Sequence, residues 1–177
     1  FIKMVFNTNI LAGSSGQGGV EAFRYYQLNI TAIENAESAD ILILAEIELL
    51  TGGSSQLPTM TGNAAPSPNV VSVNKTLRGD TQPFGAFDGS TSTLLQLFFD
   101  QPSTGGTTNP AIIKFDLGSG NTLDKPDQLR LNRISSSAEY FPTNFTLEGS
   151  NDDSSYDVLL TVTSNTMPSQ SKTYDIP

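Results

Sequence analysis

The stretch from Ala86 to Thr93 (AFDGSTST) combines a carboxylate, a turn glycine and four hydroxyl groups between two apolar segments. Oxygen-bearing side chains grouped around a glycine are typical of a loop that binds a hard cation. The stretch from Phe145 to Ser154 (FTLEGSNDDS) has the related pattern of a strand followed by a polar turn. These two stretches favour a binding or structural β-protein.

The composition argues against an enzyme. The chain contains no histidine and no cysteine, which excludes serine and cysteine triads that use histidine, and also thiolate zinc sites. A pair of carboxylates is the remaining ordinary acid-base device, and none of the 18 acidic residues forms an evident pair in the sequence. We therefore expect a protein without catalytic activity.

The charge balance restricts the partners. Nine basic and 18 acidic residues give a formal net charge of -9, which disfavours binding to nucleic acid or to anionic membranes. No stretch approaches the roughly 20 apolar residues that a membrane-spanning helix needs, so no membrane insertion is expected.

Alternating apolar and polar residues predict short strands. Residues 25–31 place Tyr26, Leu28 and Ile30 on one face, as a half-buried strand does. Residues 41–50 form the most apolar run; its alternation favours one strand, with a helix as the alternative. Further strands are predicted at residues 70–73, 94–99, 111–117, 128–134, 144–149, 156–162 and 172–176. Short strands at this spacing predict a β-sandwich or barrel.

The length of 177 residues suits one domain with an extension. A glycine- and serine-rich segment follows residue 11, so residues 1–21 are interpreted as an arm and linker, and residues 22–177 as the domain. Because the chain begins with Phe1, we expect a processed product or a piece of a longer polypeptide.

Three motifs occur in an order that resembles a known family. They are residues 85–93 (GAFDGSTST), residues 113–118 (IKFDLG) and residues 142–152 (PTNFTLEGSND). This order is similar to that of discoidin domains, which are also called coagulation-factor C-type or galactose-binding-like domains. The resemblance covers roughly residues 22–176 and implies an all-β jelly-roll sandwich.

The strand order departs from that family at the start of the chain. Residues 24–28 (RYYQL) and 43–49 (ILAEIEL) resemble strands that usually close such a domain at its C-terminal end. A permuted order leaves the packed sheets unchanged when the termini lie close together. The alternative is that residues 22–53 complete a preceding domain.

The resemblance also implies a structural calcium site. In family members that bind a metal, the corresponding turn and the Ala-Glu strand hold the ion. Here this implies carboxylates from Asp88 and Glu46 and backbone carbonyls from Gly85, Ser90 and Ala45, with Thr93 as a further ligand. Such a set of hard oxygens suits calcium. The alternative is that Asp88 and Gly89 form a simple tight turn and that Glu46 is a solvated charge on a strand.

Sugar binding in the family uses aromatic, histidine and arginine side chains in loops at one end of the sandwich. This chain has no tryptophan and no histidine. The candidate replacements are Phe84, Phe98, Phe99, Tyr140 and Phe141, each of which is equally explained as a core residue.

Domains with such motifs resemble those on phage virions and bacterial surface proteins. The resemblance implies an adhesion module at an extracellular or virion surface, for instance in a phage tail fibre or capsid, that recognises a glycan or a receptor. The alternative is a structural decoration or fibre protein that binds a virion scaffold or copies of itself. Either function is compatible with a homo-oligomer or a larger assembly.

Overall fold

The computed structural model describes residues 21–34, 41–99, 109–134, 140–167 and 169–177. The predicted N-terminal arm, except for Glu21, lies outside these residues. Within them the structure is nearly all β, with a short 3-10 helix at Pro83–Ala86 and no α-helix. No helix of this part of the chain is long and apolar enough to span a membrane.

The described residues form thirteen strands, numbered here in chain order. They are β1 (Ala22–Phe23), β2 (Tyr25–Ile33), β3 (Ile41–Leu44), β4 (Glu46–Thr51), β5 (Ser54–Ser55), β6 (Val70–Val73), β7 (Leu95–Phe98), β8 (Ala111–Asp116), β9 (Leu123–Asp124), β10 (Gln128–Asn132), β11 (Pro142–Ser150), β12 (Asp157–Val162) and β13 (Ser171–Asp175).

The strands pair antiparallel in four sheets. A five-stranded sheet has the order β12-β11-β2-β8-β6, and a four-stranded sheet has the order β13-β10-β4-β5. Two short pairs, β3 with β7 and β1 with β9, complete the pairing of the described strands. This arrangement is consistent with the predicted β-sandwich.

The core lies between the two larger sheets. Leu28 and Leu147 of the five-stranded sheet and Ile47 and Leu49 of the four-stranded sheet line one small interior cavity of about 10 Å³. All four belong to one cluster of buried apolar residues. Burying a side chain of this size contributes about 1.5 to 3 kcal/mol, so the contact between the two sheets stabilises the fold.

Strand β2 confirms the alternation seen in the sequence. Tyr26, Leu28 and Ile30 are buried, while Tyr25, Gln27, Asn29 and Thr31 are half-buried on the opposite face. The central position of β2 places that second face in the middle of the five-stranded sheet.

The prediction of one strand over residues 41–50 is wrong in one respect. The segment is extended and not helical, but it breaks at Ala45: β3 pairs with β7, whereas β4 pairs with β10 and β5. Leu42, Ile43 and Leu44 are all buried, so β3 is covered on both faces and does not follow a simple alternation. The break leaves Glu46 as the first residue of β4.

The loop between β4 and β6 contains one short strand that the alternation of residues in the sequence did not predict. Strand β5 pairs with the end of β4, where Leu50 lies opposite Ser55 and Thr51 opposite Ser54. Further along, the backbone N–H of Met60 donates to the carbonyl of Phe87 at 2.8 Å. This loop therefore lies beside the segment that carries Asp88.

Candidate cation site between strand β4 and the Asp88 loop

The loop that carries Asp88 is anchored at both ends. Pro83, Gly85, Ala86 and Phe87 at its start are buried. A side chain at Gly85 would meet the backbone oxygen of Leu94 at 3.1 Å, so the two ends of the loop come close together. We call residues 85–94 the Asp88 loop. Its close-packed base explains why a glycine occupies position 85.

The carboxylate of Asp88 organises the loop from within. One oxygen accepts a hydrogen bond from the backbone N–H of Ser90 at 2.9 Å, and the other accepts one from the hydroxyl of Thr93 at 2.6 Å. Gly89 has a φ of 75°, a left-handed conformation that favours glycine. These contacts describe the tight turn that the second interpretation of the sequence predicted.

Glu46 does not match the solvated charge of that second interpretation. Glu46 is the first residue of β4, and only 6% of its surface is exposed. Its Oε1 accepts a hydrogen bond from the backbone N–H of Gly89 at 3.2 Å. Its Oε2 is buried and has no hydrogen-bond partner. The structure thus brings Glu46 to the Asp88 loop, 42 positions further along the chain.

The surroundings of Glu46 disfavour its charged form. Burial raises the pKa of Glu46 to about 8, and the negative charges of Asp88 and Glu48 add to this effect. A carboxylate that is buried, close to a second carboxylate and short of hydrogen bonds is a costly arrangement in the absence of a cation.

Glu48, two residues along the same strand, shows the opposite arrangement. Arg130 on β10 donates to both oxygens of Glu48 at 2.6 Å, and Asn132 donates a third hydrogen bond at 3.1 Å. The hydrogen bonds from Arg130 are the main reason that the pKa of Glu48 is lowered. Of the two carboxylates that repel Glu46, Glu48 therefore already has its own cationic partner.

A cavity of about 230 Å³ lies beside this cluster. Glu46, Glu48 and Gly89 line it together with Ser55 and Thr59. Carboxyl and hydroxyl oxygens such as these suit a hard cation better than a soft one. Asp88 is not among the residues that line this cavity, and both of its oxygens accept hydrogen bonds within its own loop. No group of three or more acidic, histidine or cysteine side chains in the described ranges could hold a metal ion, so any ligands beyond the two carboxylates would be carbonyls or hydroxyls.

The remaining predicted ligands are placed as follows. Ser90 and Thr93 belong to the Asp88 loop, and the carbonyl oxygen of Ser90 lies 3.1 Å from the hydroxyl of Thr93. Gly85 is buried at the base of the loop. Ala45 is fully buried next to Glu46, and its N–H donates to the carbonyl of Asn132 at 2.9 Å.

The aromatic residues considered for ligand binding are placed very differently from one another. Phe141 and Phe99 are fully buried, as their alternative assignment to the core predicted. Phe84 packs partly buried against the core, and Tyr140 is half-buried. Phe98, at the end of β7, is 44% exposed. Of these five side chains, Phe98 presents the largest exposed fraction to a ligand.

One polar cluster escaped the sequence interpretation. Glu148 on β11 is 8% exposed and accepts hydrogen bonds from Gln27, Asn29 and Thr146. The polar positions of residues 25–31 were visible in the sequence, but the register that sets Gln27 opposite Glu148 was not. Only knowledge of which strands pair could have revealed this cluster.

No protein-family model, curated protein or solved structure matches this chain.

Proposed function

We propose that this chain is a non-catalytic adhesion module that recognises a glycan or a surface receptor. In this proposal it has a galactose-binding-like jelly-roll fold and acts at an extracellular or virion surface, with calcium as a structural ion. The observation that carries the proposal is Glu46, whose buried, unpartnered oxygen lies beside the Asp88 loop. The resemblance of the sequence motifs to discoidin domains supports the same function.

The calcium ion would have a structural role. Asp88 and Glu46 would supply charged ligands, with Gly85, Ser90, Thr93 and Ala45 as the candidates for neutral oxygens. A bound cation supplies positive charge, which would offset the burial of Glu46 and its repulsion by Asp88. It would hold the start of β4 and the Asp88 loop together and so keep that end of the protein rigid for recognition.

Calcium dependence is tested by thermal unfolding in chelator and then in millimolar calcium chloride. At a calcium concentration of about 100 times Kd, binding to the folded state adds about 2.7 kcal/mol. For a domain of this size that corresponds to a rise in Tm of roughly 5 to 10 °C.

The matched variants are Asp88→Ala and Asp152→Ala, since Asp152 lies in a second acidic turn. Each variant is compared with its own Tm in chelator. We expect the calcium-dependent rise to disappear in Asp88→Ala and to persist in Asp152→Ala. An unchanged Tm of the wild type across the titration would contradict the ion.

Recognition is tested separately by glycan-array screening of the calcium-loaded protein and by binding to the surface of candidate host cells. Binding to a defined glycan or to a protease-sensitive cell receptor supports the adhesion function. If neither is bound at millimolar ligand or at saturating protein, the adhesion function is wrong.

The second candidate is a structural decoration or fibre protein that binds a virion scaffold or copies of itself. The observation that favours it is the burial of Phe141 and Phe99 in a chain without tryptophan or histidine, which leaves few rings for sugar stacking. Light scattering of the complete chain tests this candidate. A stable oligomer without glycan binding supports it, and a monomer that binds glycan contradicts it.

A further inference from the structure

The outer face of the five-stranded sheet is polar and organised. A row of directly opposed residues crosses four of its strands: Glu148 on β11, Gln27 on β2, Lys114 on β8 and Ser72 on β6. In the next row Asn29 lies opposite Thr146. We call this surface the polar face; it is a different place from the Asp88 loop and from the aromatic residues considered above.

Hydrogen bonds hold the centre of the polar face in position. Gln27 and Thr146 each donate to Glu148 at 2.5 Å, and Asn29 donates to it at 3.3 Å. Glu148 is nearly buried under these neighbours. The second polar atom of the Asn29 side chain, Oδ1, is buried without a partner. A network fixed in this way loses little further conformational entropy when a ligand binds.

A cavity of about 360 Å³ lies on one side of this network. Gln27, Ser72, Asn74 and Lys114 contribute polar groups to it, and Tyr156 contributes an aromatic wall. Asp153 accepts from Lys114 at 2.7 and 2.8 Å and from the hydroxyl of Tyr156, which fixes the lysine and the ring together. The volume falls in the range of about 300 to 1,000 Å³ that is usual for small-ligand sites.

A second cavity of about 260 Å³ lies on the other side of β2. Asn29, Thr146 and Glu148 line it, together with Thr161 and Thr163 near the edge of the sheet. The network of Gln27, Asn29 and Glu148 therefore separates two cavities that share one sheet face and are lined in part by polar side chains. A ligand with hydroxyl groups spaced along a chain could contact both.

We propose that the polar face binds a neutral oligosaccharide that lies across strands β6, β8, β2 and β11. Amides, a carboxylate, hydroxyls and an ammonium group offer both donors and acceptors, as sugar hydroxyls require. The ring of Tyr156 offers an apolar surface for the C–H face of a sugar. This inference rests on the proposed adhesion function and names its ligand class and site.

The charges of the polar face select a neutral ligand. Glu148 and Asp153 are acidic, while Lys114 is already paired with Asp153. Together with the net charge of -9, this disfavours sulfated or sialylated glycans and nucleic acid. An added peptide strand is disfavoured because such strands join the edge of a sheet, whereas β2 and β8 lie in its interior.

The experiment combines a glycan array with two variants of the polar face. The array carries neutral gluco-, galacto- and manno-oligosaccharides beside sialylated and sulfated ones. Tyr156→Ala removes the aromatic wall, and Ser72→Tyr fills the cavity from β6. The matched control is Ser54→Tyr, which places the same ring at an exposed position on β5 of the other sheet. Circular dichroism and Tm verify that each variant is folded.

We expect neutral oligosaccharides to bind and both face variants to weaken binding by at least about tenfold, with Ser54→Tyr unchanged. Titration of isotope-labelled protein with the bound sugar should shift the side-chain amide signals of Gln27 and Asn29. Unchanged affinity in both folded face variants would overturn this site but leave the adhesion function intact. If only anionic glycans bind, the proposed ligand class is wrong. If no glycan binds, this inference is wrong, and the adhesion function is then decided by the separate test of receptor binding.

Discussion

The Asp88 loop and the turn at residues 150–155 contain similar residues but have different surroundings. In the second turn, which we call the Asp152 turn, one carboxylate oxygen of Asp152 accepts from the backbone N–H groups of Ser154 and Ser155 at 2.9 and 2.8 Å. These hydrogen bonds lower the pKa of Asp152. Asp88 also accepts hydrogen bonds from its own loop, but beside it lies the buried and unpartnered Glu46.

The difference shows that a local pattern of acidic and hydroxyl residues does not define an ion site. The Asp152 turn satisfies its carboxylate with its own backbone, and the neighbouring Asp153 is paired with Lys114. The Asp88 loop receives a second carboxylate from a distant strand. Of the two turns, only the Asp88 loop lies beside a buried carboxyl oxygen without a hydrogen-bond partner, and this is why the proposed cation is assigned to it.

The largest expected effect is that of Gly149→Ala beside the Asp152 turn, which is compared with Gly89→Ala in the Asp88 loop. A Cβ atom at Gly149, just before the Asp152 turn, would lie 2.6 Å from Cδ2 and 2.7 Å from Cγ of Phe23. Phe23 is buried and packs edge-on against Tyr26, so it cannot move away easily. We expect Gly149→Ala to lower the free energy of unfolding by about 2 kcal/mol, as measured by urea denaturation.

The control for this substitution is Gly89→Ala in the Asp88 loop. The nearest atom to a Cβ there is Cγ2 of Thr59 at 3.6 Å, which leaves room for it. The cost is then limited to the left-handed backbone, about 1 kcal/mol. A smaller loss for Gly149→Ala than for Gly89→Ala would contradict the close packing of Gly149 against Phe23.

The second prediction is that removing the acidic charge has opposite signs at the two turns. In chelator at neutral pH, Glu46→Gln should raise the free energy of unfolding by about 1 to 2 kcal/mol, because burial raises the pKa of Glu46 and folding then forces this carboxyl to take up a proton, whereas glutamine needs none and retains an acceptor for Gly89. Asp152→Asn should lower stability, because the charged acceptor of several hydrogen bonds is lost.

Urea denaturation of both variants in chelator gives the comparison. In calcium, the wild type should become more stable than Glu46→Gln, because the wild type binds the ion and the glutamine variant does not. A loss of stability in Glu46→Gln in chelator would show that the carboxylate is already satisfied in the protein alone.

The smallest expected effect is the acid sensitivity of the ion pair between Arg24 and Asp116, close to the Asp152 turn. Burial alone would raise the pKa of Asp116, but hydrogen bonds from Arg24 and from the N–H of Gly118, with the charge of Arg24, outweigh it and lower this pKa. The stabilisation from Asp116 is therefore complete above its ordinary pKa of 3.8 and is lost as the pH falls through its lower value in the folded protein.

Asp116→Asn should thus flatten the decline in stability below about pH 3.8 while leaving the pH dependence near neutrality unchanged. Urea midpoints measured between acidic and neutral pH test this. If the wild type and Asp116→Asn differ in the pH dependence of their stability only near neutral pH, a group other than Asp116 causes the loss of stability in acid.

The strand predictions succeeded where one face of a strand is buried and the other is not. The alternation in β2 and β8 is visible in the sequence because each strand has a core face and a polar face. The two-residue strands β1, β5 and β9 are too short to carry such a pattern; β5 pairs with the end of β4, and β1 and β9 pair with each other. The break at Ala45 was missed because β3 is buried on both faces.

The sequence by itself determined the all-β character, the polar turns and the absence of histidine and cysteine chemistry, because these depend on residue types and short-range alternation. Only the tertiary structure decided that Glu46 is buried beside the Asp88 loop, that Asp152 satisfies itself, and that Gln27 faces Glu148. Burial and strand register join residues far apart in the chain, and they depend on which surfaces pack together. The charge state and partners of a carboxylate follow from that packing.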